Sequence, residues 1–257
     1  MRGELIGKGF GEIVLTGIRL GAYGRDLEEA ISLPGLLRDL FALPGRWRIR
    51  LSSLEPDDVS PELISIWKGS PPLCRHLHLP LQSGDDEILA LMGRRASAAA
   101  YLSLLADLVR SIPDLGLGAD IMVGFPGETE GHFRRTYRFL EGAPLSYLHV
   151  FPFSPRPGTI AASILQTSSA QEKRERTRRL RSLSKEKSLL FRSAFIGKSM
   201  EAIVLRSADP SGNRYWALSD NYVPILIADA SAELVGQLIR VEIEGMKDGV
   251  LGGRWKK

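Results

Sequence analysis

Short apolar runs recur along the first 153 residues, each followed by turn residues and then by a helical pattern. The five runs are EIVLTG (12–17), RIRLSSL (48–54), HLHLPLQ (76–82), ADIMVGF (119–125) and YLHVFPF (147–153). Strands that alternate with helices are typical of parallel β-α units. Because the runs are apolar on both faces, the pattern predicts an α/β fold in which a parallel sheet is covered by helices or closed as a barrel.

The segments between the runs have helical periodicity. In SPELISIW, Ser60 is placed to cap a helix and Pro61 to take its first position. The predicted apolar faces of three later helices are Leu102, Leu105, Val109 and Ile112; Phe133, Tyr137 and Leu140; and Leu180, Leu183, Leu190 and Ala194. Each face is expected to pack against the sheet or a neighbouring helix.

The last part of the chain has a different pattern. Residues 199–257 contain short strand-like runs without a strong helical pattern, which predicts a small five-stranded β-barrel. The predicted organisation is the parallel α/β part over 1–165, a basic helix and linker over 166–198, and the small barrel over 199–257.

Composition is that of an intracellular protein. The chain has 257 residues, of which 44% are hydrophobic and 25% charged, and a single cysteine. One cysteine excludes an intramolecular disulfide. The first residues lack a secretory pattern and the longest apolar run is too short for a membrane span. The expected location is therefore the cytoplasm, without a membrane partner.

Positive charge is concentrated in one stretch. Between Ser168 and Lys198 there are ten Lys or Arg residues and three Glu, against a net charge of +4 for the whole chain. The helical pattern places these cations opposite the apolar stripe. Two interpretations remain open for this face, an ordinary solvated helix surface and a surface that binds a polyanion.

The sequence CRHLH places Cys74, His76 and His78 within five positions. These residue types can bind zinc, but alternate positions of a strand are about 6.6 Å apart, and a tetrahedral site gathers its ligands around one ion. We therefore expect no metal here. The favoured interpretation is a buried strand whose histidines are hydrogen-bonded and whose cysteine fills apolar space.

Candidate binding residues follow the predicted strands. In parallel α/β proteins ligands bind at the carboxyl ends of strands, which here are TGIRLGAYG, SSLEP, QSGDDE, GFPGETE and FSPRPGT. Gly124 and Gly127 permit a close approach of ligand to backbone. The amides that open the helix after Thr129 favour a carboxylate or a hydroxyl-rich ligand.

These segments resemble, in order from about residue 9 to 160, consecutive motifs of the tRNA methylthiotransferase family of radical S-adenosylmethionine enzymes. TGIRLGAYG and SSLEP are most similar to the branch that methylthiolates N6-threonylcarbamoyladenosine in tRNA. Residues 199–257 resemble the TRAM domain, a tRNA-binding module of the same enzymes. Arg19 and Ala96 depart from the family pattern, which commonly has Asn and an aromatic residue at these positions.

The resemblance implies two sets of site residues. Those expected to line the S-adenosylmethionine pocket are Thr16, Gly17, Ser53, Glu55, Gln82, Ser83, Gly84, Gly124, Phe125, Pro126, Gly127 and Glu128. Those expected to contact tRNA are Arg156, Arg178, Arg179, Arg181, Arg214, Tyr215, Trp216, Asn221 and Tyr222. For Arg156 the alternatives are the cofactor carboxylate and a surface salt bridge, and for each aromatic residue the alternative is core packing.

The family also uses [4Fe-4S] clusters, one of them held by three closely spaced cysteines, and a chain with one cysteine cannot supply these ligands. The resemblance implies that residues 1–165 form a partial (βα) barrel of the radical SAM type that lacks its first strand. We also expect the cysteine loop and the family's leading domain to be missing, either lost or separately encoded. Two functions then compete: an enzyme-derived methylthiotransferase chain that is inactive in isolation, and a cluster-free tRNA-binding remnant. Strand 12–17 is expected to form an exposed sheet edge that lowers solubility.

Overall fold

The computed structural model describes residues 4–27, 31–69, 72–164, 166–208, 213–228 and 230–256. Five parallel strands form its first part: β1 Glu12–Leu15, β2 Arg48–Leu51, β3 His76–His78, β4 Gly116–Val123 and β5 Tyr147–Pro152. β1 pairs with β2, and β4 lies between β3 and β5. The Leu54 amide donates to the His78 carbonyl (3.0 Å), and Ile49 bridges Leu73. The strands thus follow chain order in an open, partial barrel, as the sequence predicts.

Eight helices accompany the strands in the described residues: α1 Glu4–Gly7, α2 Leu33–Phe41, α3 Pro61–Gly69, α4 Asp86–Leu91, α5 Ala98–Ser111, α6 Glu130–Gly142, α7 Ile160–Ser163 and α8 Ala170–Ser193. The Ser60 hydroxyl accepts from the amide of Leu63 at 3.1 Å, which confirms the predicted cap of α3. None of these helices is long and apolar enough to cross a membrane.

The predicted apolar face of α5 is partly wrong. Leu105 and Ile112 are buried, but Leu102 and Val109 are 39% and 37% exposed. The face that packs inward also contains Tyr101 and Leu108, both at most 1% exposed. The Tyr101 hydroxyl donates to the Leu79 carbonyl at 2.8 Å, so the helix is rotated to place this ring against β3.

The small barrel is closed by five strands: β6 Ser199–Ser207, β7 Arg214–Ser219, β8 Pro224–Ala228, β9 Leu238–Lys247 and β10 Val250–Lys256. Their order around the barrel is β10-β8-β7-β6-β9. The side chains inside form a second core, separate from that of the parallel strands. This confirms the small barrel expected from the sequence.

Helix α8 packs against both cores. Leu180 and Leu183 are buried against the parallel strands, and Phe191, near its end, packs with Phe195 on the core of the small barrel. Leu190, predicted on the apolar stripe, is 75% exposed, and Ala194 lies beyond the last helical residue. The stripe changes because the second half of α8 packs on a different partner.

The small barrel covers the amino-terminal ends of the parallel strands. Glu12 receives hydrogen bonds from Arg48 and Arg50, each at 2.7 Å, and all three side chains are at most 8% exposed. The arginines also donate to carbonyls of the small barrel, Arg48 to Leu218 (2.8 Å) and Arg50 to Ser219 (2.9 Å). We call Glu12, Arg48 and Arg50 the amino-end junction. The opposite, carboxyl ends of the strands remain uncovered by the small barrel.

Candidate ligand-binding rim

The predicted cofactor residues lie where the parallel strands end, and because the strands are parallel and in chain order they share one rim. Thr16, Gly17 and Ser53 are exposed, whereas Glu55, Gln82 and Gly127 are partly exposed. The remaining predicted residues, Ser83, Gly84, Gly124, Phe125, Pro126 and Glu128, are buried. The rim thus separates into a surface that a ligand can reach and a supporting layer beneath it.

The turn Gly124–Glu128 is held by its own carboxylate. The Gly124 amide donates to Glu128 Oε2 at 2.6 Å, and Arg176 of α8 pairs with the same oxygen at 2.8 Å. Gly124 and Gly127 have φ values of +72° and +92°, which favour glycine. Burial raises the pKa of Glu128 although the Gly124 amide and Arg176 oppose this shift. The buried Glu128 carboxylate therefore stabilises the conformation of this turn through its bond with the Gly124 amide.

In the QSG segment, Gln82 is the residue available to a ligand. Its backbone pairs with β4, accepting from Met122 (2.9 Å) and donating to Asp120 (2.8 Å) at a φ of +76°. Ser83 is 1% exposed and hydrogen-bonds Thr136 at 3.1 Å. Among the described residues the Gln82 side-chain amide has no hydrogen-bond partner.

A cavity of about 420 Å³ opens beside the ends of β2 and β3. Its lining includes Glu55, Arg94 and Arg19. Arg94 donates to Glu55 Oε2, and Arg19 makes two bonds to Asp58, at 3.0 and 3.1 Å. Arg19 thus has a local partner that explains a basic residue at this position. Asp58, whose buried carboxylate also pairs with Arg25 at 2.8 Å, was not predicted from the sequence.

The rim offers groups that suit S-adenosylmethionine. Its backbone is accessible at Gly17 and in part at Gly127. The Gln82 amide can bond a hydroxyl or adenine nitrogen, and the Glu55–Arg94 pair supplies both charges for an ammonium and a carboxylate. The same residues do not suit an iron–sulfur cluster, which needs several thiolates. Cys74 is 1% exposed and lies before β3, at the opposite end of the strand.

Cys74 is buried beside the amino-end junction, and burial raises its pKa from 9.0 to about 12. Because the thiolate is the reactive form, we expect iodoacetamide to alkylate the folded chain at mildly alkaline pH about a thousandfold more slowly than the unfolded chain. Mass spectrometry of samples quenched over time measures both rates, and Cys74→Ser gives the background. Equal rates in the folded and unfolded chain would contradict the burial.

The two histidines of β3 are buried and hydrogen-bonded, which confirms the interpretation favoured from the sequence. His76 Nε2 and His78 Nδ1 lie 2.8 and 3.2 Å from the hydroxyl of Tyr147 on β5. His76 also stacks on Tyr222, with ring centroids 4.2 Å apart. Burial lowers the pKa of His76 to about 3, so this ring stays neutral.

Some arginines on the basic face of α8 have local partners, whereas other cations of this face line a groove. Arg178 pairs with Glu175 at 2.6 Å, and Arg179 lies over the rings of Phe133 and Tyr137. A groove of about 500 Å³ runs beside the end of β5 and is lined by Pro152, Ala170, Lys173, Arg174, Thr177, Arg178 and Arg181. Arg156 is exposed in the loop after β5. Arg176, which sequence reasoning placed on the basic face, is instead buried against Glu128.

The predicted tRNA residues of the small barrel do not form one group. Arg214 and Trp216 line a groove of about 680 Å³ on the barrel surface. Tyr215 is 6% exposed in the barrel core, and Asn221 is 1% exposed and donates to the Asp114 carbonyl at 3.1 Å. Tyr222 is 43% exposed and packs on His76. Sequence could not separate these positions, because barrel packing and domain docking use the same residue types as RNA binding.

Comparison with known proteins identifies similar chains. The model of the radical SAM superfamily matches residues 4–140. A threonylcarbamoyladenosine tRNA methylthiotransferase of Thermotoga maritima is 41% identical over 201 residues, which are 78% of this chain and 46% of the relative. A tRNA-2-methylthio-N(6)-dimethylallyladenosine synthase of Desulfitobacterium hafniense is 34% identical, over 97% of this chain and 56% of the relative. A Bacillus subtilis threonylcarbamoyladenosine tRNA methylthiotransferase is also 34% identical, over 93% and 53%. The chain thus spans about half the length of these relatives.

Proposed function

Because this chain belongs to the radical SAM superfamily, we propose that it provides the cofactor rim and the tRNA-binding part of a tRNA methylthiotransferase that acts on N6-threonylcarbamoyladenosine. The observation that carries the proposal is the rim itself. Five sequence motifs that resemble those of the methylthiotransferases end at one edge of the parallel strands, uncovered by the small barrel. Bound S-adenosylmethionine would supply radical chemistry there together with an iron–sulfur cluster.

The proposed roles of the rim residues follow from their exposure. Thr16, Gly17, Ser53 and Gln82 contact the cofactor, and the Glu55–Arg94 pair holds its charged end. Gly127 brings the backbone close to it, and Gly124 lies in the layer beneath. The buried residues Ser83, Gly84, Phe125, Pro126 and Glu128 hold these groups in place. The cytoplasm, where tRNA is modified, remains the predicted location.

Catalysis requires cluster ligands that these 257 residues do not supply, because the chain has one cysteine and it is buried. We expect the purified chain, incubated anaerobically with iron and sulfide, to bind no stoichiometric cluster. It should yield no 5′-deoxyadenosine from S-adenosylmethionine and a strong reductant. Cluster assembly is followed by absorption and iron analysis, and 5′-deoxyadenosine by chromatography. Formation of this product by the unextended chain, lost in Cys74→Ser, would contradict the proposal.

The positive test supplies the missing ligands. The segment of the Thermotoga maritima relative that precedes its matched region is fused to this chain, and tRNA from cells that lack methylthio modifications is the substrate. We expect methylthio-N6-threonylcarbamoyladenosine by mass spectrometry of the digested tRNA. Gln82→Ala should reduce the yield, whereas Gln171→Ala, an exposed glutamine on α8, should leave it unchanged. Modification of dimethylallyladenosine instead would assign the other substrate, and tRNA binding without modification would favour the binding remnant.

Binding of tRNA by the full chain should depend strongly on salt, because each phosphate contact releases counterions. We expect the triple substitution Arg178→Ala, Arg179→Ala and Arg181→Ala to weaken binding of all tRNAs alike. It should lower the slope of log affinity against log salt by roughly two to three. Filter binding or fluorescence anisotropy over a salt series measures both quantities.

The matched control replaces three exposed arginines on other helices: Arg38→Ala, Arg110→Ala and Arg134→Ala. It removes the same net charge from surfaces outside α8, so the slope should stay close to that of the unmodified chain. Equal losses in the two triple variants would mean that the α8 face is solvated surface and that binding reflects net charge alone.

A further inference from the structure

Three side chains from three neighbouring parallel strands converge on one face of the sheet. They are His78 on β3, Asp120 on β4 and His149 on β5, and Asp120 is the register partner of His149. Asp120 Oδ1 lies 3.1 Å from His78 Nε2 and 3.5 Å from His149 Nδ1. All three potential ligand atoms lie within 4.8 Å of one another, which the described residues achieve at no other group of His, Cys, Asp or Glu.

These separations suit a small divalent ion. With zinc-to-nitrogen and zinc-to-oxygen bonds of about 2.0–2.1 Å, neighbouring donors of a tetrahedral site are about 3.3 Å apart. The two distances to Asp120 Oδ1, 3.1 and 3.5 Å, bracket this value. The ligand nitrogens of the two histidines lie within 4.8 Å of each other. The His149 side chain is 53% exposed, which leaves it room to adjust.

The ring nitrogen of His78 that does not face Asp120 already has a hydrogen-bond partner, as is usual for histidines that bind metals. Its Nδ1 lies 3.2 Å from the Tyr147 hydroxyl, which leaves Nε2 directed at Asp120. Tyr147 is in turn fixed by His76 at 2.8 Å. A partner on the second ring nitrogen sets the orientation and basicity of a ligating histidine.

The cluster is also reachable from outside. His78 and Asp120 side chains are 9% and 26% exposed, so exposure rises toward His149. His149 and Tyr147 border a crevice of about 420 Å³ between β5, α8 and the small barrel. His149 therefore gives the cluster a side that solvent can reach.

We propose that His78, Asp120 and His149 bind one divalent ion of the zinc type, with the fourth coordination position open to the crevice. Three ligands from two histidines and one carboxylate, plus an open position, form the donor set of catalytic zinc sites. This site shares no residue with the carboxyl-end rim and needs no cysteine. The alternative is a plain hydrogen-bond network in which Asp120 accepts from both histidines and no ion binds.

The test is titration of the metal-free full chain with Zn²⁺ by calorimetry, and with Co²⁺ by visible absorption. We expect one equivalent of each metal to bind, Co²⁺ with the intense bands of a four-coordinate site, and Zn²⁺ to raise the melting temperature. His149→Asn and Asp120→Asn should abolish stoichiometric binding. Tyr147→Phe should weaken it about 10–100-fold while keeping the stoichiometry.

His132→Asn is the matched control, since His132 is a histidine that pairs with a carboxylate, Glu87, at 3.0 Å on another surface. It should leave the affinity unchanged. The exposed position of His149 makes His149→Asn compatible with folding, which thermal unfolding without metal verifies. The proposal is overturned if the unmodified chain binds no Zn²⁺ at micromolar concentrations, or if binding survives both His149→Asn and Asp120→Asn.

Discussion

Replacement of Glu12 by alanine is expected to lower the free energy of unfolding by about 3–5 kcal/mol, because it leaves Arg48 and Arg50 buried without their shared counter-charge. The two guanidinium groups are 2% and 5% exposed, so water does not replace the carboxylate. Their remaining hydrogen bonds go to carbonyls of the small barrel, and docking of that barrel should loosen with them. Urea unfolding measures the stability, and limited proteolysis measures the loosening.

Glu62→Ala is the matched control, since Glu62 pairs with Arg38 at 2.7 Å on the surface, where both side chains are more than half exposed. It should cost less than about 1 kcal/mol. If Glu12→Ala costs no more than Glu62→Ala, the junction does not hold the two parts together.

The junction also predicts a pH dependence. Burial alone would raise the pKa of Glu12, but the hydrogen bond from Arg50 and the charges of both arginines outweigh it and hold the pKa below 4.5. A folded-state pKa below the unfolded value means stability that is fully present above about pH 4.5 and is lost as the pH falls further. On acidification below that pH, the unmodified chain should lose more stability than Glu12→Gln.

Replacement of Arg176 by alanine is the second change with a large expected effect, about 3–5 kcal/mol of lost stability. Arg176 is 4% exposed and donates to Glu128 (2.8 Å) and Ser168 (3.0 Å), so its removal leaves a buried carboxylate with one amide partner, that of Gly124. Hydrogen exchange of the Gly124–Glu128 turn should rise together with the drop in melting temperature.

Two further variants separate the ion pair from other effects. Arg174→Ala removes an exposed arginine of the same helix and should be nearly neutral. The double variant Arg176→Met with Glu128→Gln removes both charges and should regain much of the stability, because no unpaired charge is left buried. A double variant as unstable as Arg176→Ala would assign the loss to packing.

Local sequence patterns were sufficient to predict the strands and a helix cap, but not the long-range contacts between these elements. The five apolar runs became β1 to β5, and the Ser60 cap formed as expected, because strand burial and capping depend on a few neighbouring residues. The buried face of α5 was predicted wrongly because two apolar stripes have the same helical periodicity. One contains Leu102 and Val109, and the other contains Tyr101 and Leu108. Only the packing partner decides between the two stripes.

Buried charges were the least predictable part of the site. Arg176 lies four and seven residues before Leu180 and Leu183, on their face of the helix, which is a signal for burial. Its partner Glu128 is 48 residues away, so the ion pair itself was not predictable. The roles of Asn221 and Tyr222 in docking were hidden for the same reason, since they depend on Asp114 and His76. By contrast, the position of the rim could be read from sequence, because parallel strands place their carboxyl ends together.

The number of residues in α8 fixes the distance between the two parts of the chain that this helix contacts. α8 has 24 residues, or about 36 Å at 1.5 Å per residue, with Arg176 near its start and Phe191 near its end. One inserted residue between these two would turn them by about 100° relative to each other, so that either the turn at Gly124 or the small barrel would lose its anchor. An insertion in α8 therefore keeps both anchors only if its length returns Arg176 and Phe191 to the same relative orientation around the helix axis.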